Sequence, residues 1–164
     1  MSWLREDVRH SIDGPRLRSC PIQLCSTHLN SMNRQLFITL PVADPSRSLA
    51  FFKALGFGHN PEFSGEDAAC IIINDSVHVM LGTHAKFTSL TPKSICDTKT
   101  STEVLFALNC SSREEVDAFV AKALSAGGST QGEPEDDEFM YQHGFADLDG
   151  HQWGLFHMKA TPPQ

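Results

Sequence analysis

The chain has no basic surplus. Lys and Arg number 13 against 20 Asp and Glu, a formal charge of -7 over 164 residues. Nucleic-acid phosphates call for a basic face, so this balance argues against that partner. There is also no long apolar run. The longest apolar stretches, Ala68–Ile73 and Val77–Leu81, fall far short of the roughly 18 residues of a membrane-spanning helix. No CxxC pair exists. The five cysteines (Cys20, Cys25, Cys70, Cys96 and Cys110) are odd in number and irregular in spacing. They define neither a zinc knuckle nor a disulfide framework, and reduced thiols in a cytoplasm are the expectation. Tyrosine occurs once, at Tyr141. What remains is an ordinary globular balance, 40% hydrophobic and 20% charged, in a chain long enough for one domain with a core.

Met1–Ser31 carries Arg5, Arg9, Arg16 and Arg18 with Pro15 and Pro21, and no sustained period of two or 3.6. Its charges and prolines interrupt every candidate signal segment, and Glu6, Asp7 and Asp13 argue against a transit peptide. The expectation is a poorly ordered tail over 1–31 and one domain over 32–164, with Met32 as an alternative start.

That domain repeats itself. Phe37–Val42 is rich in strand formers. Asp44-Pro45 then supplies a helix cap and a first-turn proline. Leu49, Phe52 and Leu55 form an apolar stripe that Gly56 ends. Strands follow over roughly Phe57–Phe63, Ala68–Ile73 and Val77–Gly82. The second half reads alike. A strand over Glu103–Cys110 precedes a capping box at Ser112 and Glu115. A helix with Val116, Phe119, Val120, Ala123 and Leu124 on one face comes next. Strands then run over Ser129–Glu133, Phe139–Ala146 and His151–Met158, with Asp149-Gly150 as a type I′ turn. Phe37 to Val104, Leu49 to Val116 and Phe52 to Phe119 share an offset of 67 residues. The predicted fold is therefore α+β: two βαβββ modules, about 36–82 and 103–158, joined by a linker over 83–102. They form a curved, mostly antiparallel mixed sheet around a cavity.

The segments LPVADPSRSLAFFKALGF and FADLDGHQWGLF, set in this repeat, resemble the vicinal-oxygen-chelate superfamily of glyoxalase I, bleomycin-resistance proteins and extradiol dioxygenases. Through STEVLFAL, SREEVD and EFMYQHGFADLDGHQW the chain is similar to the glyoxalase-related, "predicted lactoylglutathione lyase" group. The resemblance implies a cavity served by both modules, and paired modules across a two-fold axis, hence a homodimer. In metal-dependent relatives the first and last strands of each module supply four ligands. Carried over, those positions fall on Phe37, Met80, Glu103 or Val104, and Gly154. Phe37, Met80 and Gly154 offer no donor suited to a hard or borderline ion. No metal and no other cofactor is expected. Glu103 is the weak exception, within a displaced divalent site that would need His78, Glu103 and His143 together.

Strand alternation extends the same face. Phe37, Thr39, His78 and Met80 are expected to line the cavity, as are Phe106, Gly154 and Phe156. Tyr141 and His143 are assigned to it from the strand over 139–146. His78, His143 and Tyr141 are the candidate catalytic groups, since a histidine titrates near neutrality and a phenol can orient a ligand. His151 is expected to bond locally beside its turn. The functional expectation is a metal-free protein that binds a small molecule. The alternative is a metal-dependent lyase, isomerase or dioxygenase-like enzyme. Neither a membrane nor a nucleic acid is expected as partner.

Overall fold

The computed structural model describes residues 34–130 and 132–159. The expectation of a disordered tail over 1–31 lies outside them.

The first module opens with β1 (Leu36–Val42), an edge strand parallel to β4. Asp44 turns the chain by accepting the N–H groups of Ser46 and Arg47 at 2.9 and 3.1 Å. With Pro45 in the first turn, this starts α1 (Pro45–Leu55). Ser48, Phe51, Phe52 and Leu55 form its buried stripe. β2 (Gly58–Asn60) is short because Pro61 removes a ladder donor and a 3-10 turn, Pro61–Phe63, takes over. The strand expected over Phe57–Phe63 is thus cut to its first half. β3 (Ala68–Asn74) and β4 (Val77–Thr83) complete a sheet of order β1-β4-β3-β2. The linker holds one short helix, α2 (His84–Leu90), laid against β1 and β4.

The second module repeats the order. β5 (Leu105–Asn109) leads to α3 (Arg113–Ser125), capped by the Ser112 hydroxyl on the Glu115 N–H. Glu115 reaches back to Ser111 rather than to Ser112. β7 (Met140–Ala146) and β8 (Gln152–Met158) form the hairpin, and β6 is only Glu135–Asp136. Of the strand expected over 129–133, the described residues show a single bridge, Ser129 to Ala146. The second sheet has the order β5-β8-β7-β6. The offset between modules is 68 rather than 67. The caps Asp44 and Ser112 correspond, and the buried Ser48, Phe52 and Leu55 correspond to Val116, Val120 and Ala123.

The two sheets share one core on their helix-bearing sides. Phe52 meets Trp153 at 5.1 Å, Phe51 meets Phe145 at 6.0 Å and Phe57 meets Phe119 at 5.5 Å, each pair joining the two modules. Phe52 and Trp153 are fully buried. Burial on this scale contributes about 1.5–3 kcal/mol per large side chain. The other face of each sheet consequently turns outward, on opposite sides of this core.

The turn between β7 and β8 stitches the modules at one end. The Asp149 carboxylate accepts the Ala43 N–H at 2.7 Å and the Ser48 hydroxyl at 2.9 Å. The His151 Nε2 lies 2.8 Å from the Pro41 carbonyl. So the His151 side chain bonds across to the first module, while its main chain bonds locally to Asp147. The turn is not type I′. Asp149 has negative φ and only Gly150 is left-handed, at φ +91. The Gly150 N–H returns to the Asp147 carbonyl and the Asp147 N–H to that of His151. This is a three-residue loop with a glycine bulge. A side chain at Gly150 would also strike the Thr98 hydroxyl, 2.7 Å from the Cβ position.

Candidate functional site on the outward sheet faces

The first outward face follows from alternation along β1, β3 and β4. Phe37 pairs with His78 and Thr39 with Met80 across β1 and β4. Cys70 and Ile72 sit beside Met80 and His78 on β3. These first-module residues come together on one face. The Phe37 ring stacks on the His78 imidazole, with centroids 4.9 Å apart and planes 16° apart. Its edge meets Phe63 at 5.4 Å. Cys70 is enclosed, and burial pushes its thiol pKa up, which keeps it protonated and poorly nucleophilic.

The second outward face is of another kind. Ala107, Gly154 and Gly144 lie side by side in register on β5, β8 and β7. They leave a floor of almost bare main chain. A cavity of about 360 Å³ stands on this floor, with Phe156, Gln142, Thr130 and Glu135 among its walls. The Gln142 amide donates to Glu135 at 2.6 Å. A second hollow of about 320 Å³ extends the floor toward Leu105 and Ala146. The two glycines differ. A Cβ on Gly144 would lie 2.8 Å from the Trp153 carbonyl, so the backbone leaves no room for one. A Cβ on Gly154 would meet only the Phe106 carbonyl, at 3.3 Å, and would otherwise enter the open cavity.

Several assigned residues stand elsewhere. Tyr141 is only 1% exposed and faces α3, where its hydroxyl donates to Asp117 at 2.5 Å. The Arg113 guanidinium lies 4.3 Å from the center of its ring. The Asp117 carboxylate and burial both hold its pKa above the usual value. Such a phenol is an anchor for a helix, not a ligand contact. His143 shares the strand face of Tyr141, and its Nε2 lies 3.3 Å from the Thr130 hydroxyl and 3.2 Å from the Gly132 carbonyl. It borders the 360 Å³ cavity. Phe106 is on the core side, stacked on Trp153 at 4.3 Å. Phe156 and Gly154 do face outward, but on the face opposite to Phe37 and His78. The cavity expected between the modules is therefore two separate surfaces within one chain.

The metal positions can now be set in register. With an offset of 68, the counterpart of Phe37 is Leu105, not Glu103 or Val104. Glu103 precedes β5 and is exposed. Phe37, Met80, Leu105 and Gly154 supply no oxygen or imidazole donor, so this set does not fit a divalent ion. His78 and His143 belong to different sheets, and neither is grouped with Glu103. No group of three or more His, Cys, Asp or Glu side chains among the described residues is placed to hold a metal.

Asp147 carries no signal in composition. Its buried carboxylate accepts the His151 and Asp149 N–H groups, each at 3.0 Å, and the Trp153 indole N–H at 3.3 Å. Burial nonetheless raises its pKa. It shapes the turn that carries Asp149. A sequence signal for the floor did exist: Gly144 and Gly154 lie equally far from Asp149, so a hairpin turning there sets them opposite each other.

This pairing of modules, with parallel first and last strands in each, is that of a known family. The chain belongs to the Glyoxalase/Bleomycin resistance protein/Dioxygenase superfamily, whose sequence profile matches residues 34–155. A hypothetical protein from S. aureus is similar at 31% identity and TM-score 0.66, over 75% of this chain and 92% of that one. A glyoxalase-related enzyme from Fulvimarina pelagi shares the fold at 18% identity and TM-score 0.64, over 76% and 87%. The antibiotic-binding protein TnmS3 from Streptomyces sp. CB03234 shares it at 20% identity and TM-score 0.56, over 79% and 98%. No curated protein matches the chain.

Proposed function

We propose that this protein binds a small, largely apolar molecule on its outward sheet faces, without a catalytic metal. The observation that carries the reading is Gly154. At the position where the resemblance sets a fourth metal ligand, this chain has bare backbone at the floor of a 360 Å³ cavity. Small-molecule sites are built of apolar lining with few polar groups. Phe156, Ala107 and the paired glycines provide such lining, and Gln142 and His143 stand at its margin. The reading accords with an antibiotic-binding protein of the same fold.

The assembly is a homodimer in this reading. Phe37 and Leu105, 40% and 66% exposed, lie on opposite outward faces of one chain. Setting the first face of one copy over the second face of another covers both. It also closes a cavity that joins Phe37, Thr39, His78 and Met80 to Gly154 and Phe156.

The test pairs a thermal-shift screen of aromatic and polycyclic compounds with elemental analysis of the purified protein. A ligand that binds only the native state raises the melting temperature with concentration. The reading expects such a hit, lost in Gly154→Val, in metal-free protein. A screen with no shift, or hits indifferent to Gly154→Val, would sink it.

A further inference from the structure

On the first outward face His78 is only 5% exposed, and its Nδ1 has no hydrogen-bond partner among the described residues. Buried polar atoms in native proteins are nearly all satisfied, so one left bare calls for an explanation. Its surroundings are apolar. Ile72 and Phe37 flank it in register, and Phe37 lies flat against the imidazole. Phe37 and its edge partner Phe63 are themselves 40% and 48% exposed. The ring stacked on the histidine is thus at the surface, not locked in the core, with a second exposed ring beside it. On this side the imidazole is reached past Phe37, the ring stacked on it.

We propose that His78 is the hydrogen-bonding anchor of an aromatic-ligand subsite on this face. This rests on the small-molecule reading above and names the chemistry of its guest. One polar group within an aromatic surround matches a flat aromatic molecule with a single hydroxyl at its edge. The ring stacks against Phe37 and Phe63, and the hydroxyl bonds the imidazole. A hydroxyl serves whichever proton arrangement the ring adopts, because it both donates and accepts. A site built to bond a hydroxyl discriminates strongly against the analogue without it, because the protein group is then left unpaired.

The experiment titrates the full chain with 2-naphthol and with 2-methylnaphthalene, which have the same shape and differ in the hydroxyl. Amide NMR shifts report the position of each probe. Binding of 2-naphthol is expected to be tighter by roughly tenfold or more, with shifts centred on β1 and β4. His78→Phe keeps a flat ring and should erase that preference, leaving 2-methylnaphthalene within about threefold of its original affinity. His78→Gln retains a hydrogen-bonding group and should restore part of it. Equal affinity for the two probes overturns the proposal and points to a buried water as the partner of Nδ1. A preference that survives in both variants also overturns it. Shifts confined to β5, β7 and β8 overturn it while leaving the Gly154 cavity standing as a binding site. Failure of both probes to bind on either face removes both readings.

Discussion

Asp149 accepts the backbone N–H of Ala43 at 2.7 Å across 106 positions of sequence. Its other oxygen takes the Ser48 hydroxyl on α1. One side chain of the second module thereby supports the start of the first module's helix. Asp149→Ala should leave both donors without their partner. The expected loss is about 2 kcal/mol, in line with removing a charged acceptor from one exposed and one part-buried donor. Chemical denaturation measures it. Asp149→Asn keeps one acceptor oxygen and should lose less. An alanine variant as stable as the parent would show that water replaces the stitch.

Tyr141 and Asp117 give a pH dependence with a definite sign. The carboxylate holds the phenol's pKa above its ordinary value near 10. The bond therefore contributes fully below about pH 10 and is lost as pH rises through the folded-state value. Tyr141→Phe lacks the bond at every pH. The stability gap between parent and variant should be about 1 kcal/mol near neutrality and should shrink above pH 10. Denaturation curves at several pH values between neutrality and strong alkali test this, and a gap that widens with pH contradicts it.

The paired glycines should respond differently to one added methyl. At Gly144 the new carbon would lie 2.8 Å from the Trp153 carbonyl, part of the ladder itself. Gly144→Ala is expected to cost about 1–3 kcal/mol, the range of strained small-to-large changes. At Gly154 the nearest atom is 3.3 Å away and the cavity is open. Gly154→Ala should cost less than about 1 kcal/mol, because only a slight adjustment is needed. Melting temperatures of the two variants decide the order, and a reversed order would refute the contrast.

Phe37, Met80, Leu105 and Gly154 predict the response to metals. Added Zn, Ni or Mn should not raise the melting temperature at concentrations that saturate a designed four-ligand site. Elemental analysis should find no stoichiometric ion. About one ion per chain, lost on changing Glu103, would reverse that expectation.

The modules were legible because their caps, stripes and turns recur. The register between them was less so. Matching Phe52 to Phe119 by residue type gave 67, whereas the buried stripe pairs Phe52 with Val120. That single residue moves the fourth ligand position from Glu103 or Val104 to Leu105. The phase of β7 was open to a better argument. Gln142 lies opposite Phe156 in the hairpin, so once Phe156 is placed outward, Tyr141 must point to the core. Phe106 follows the same alternation through its pairing with Trp153. What no local pattern carries is the reach of Asp149 and His151 into the other module. Their types and spacing suit a turn equally well, and only the shared core brings Ala43 and Pro41 beside them.

The floor formed by Ala107, Gly144 and Gly154 limits how the second face can change over time. Its shape is drawn by main chain, and two of its three positions already carry the smallest residue. Any single replacement at Gly144 or Gly154 adds volume. A lineage seeking to admit a larger guest therefore cannot do so by trimming there. New preferences must come from Phe156, Gln142 and the stretch around Thr130 and Glu135, where side chains exist to be shortened, lengthened or recharged.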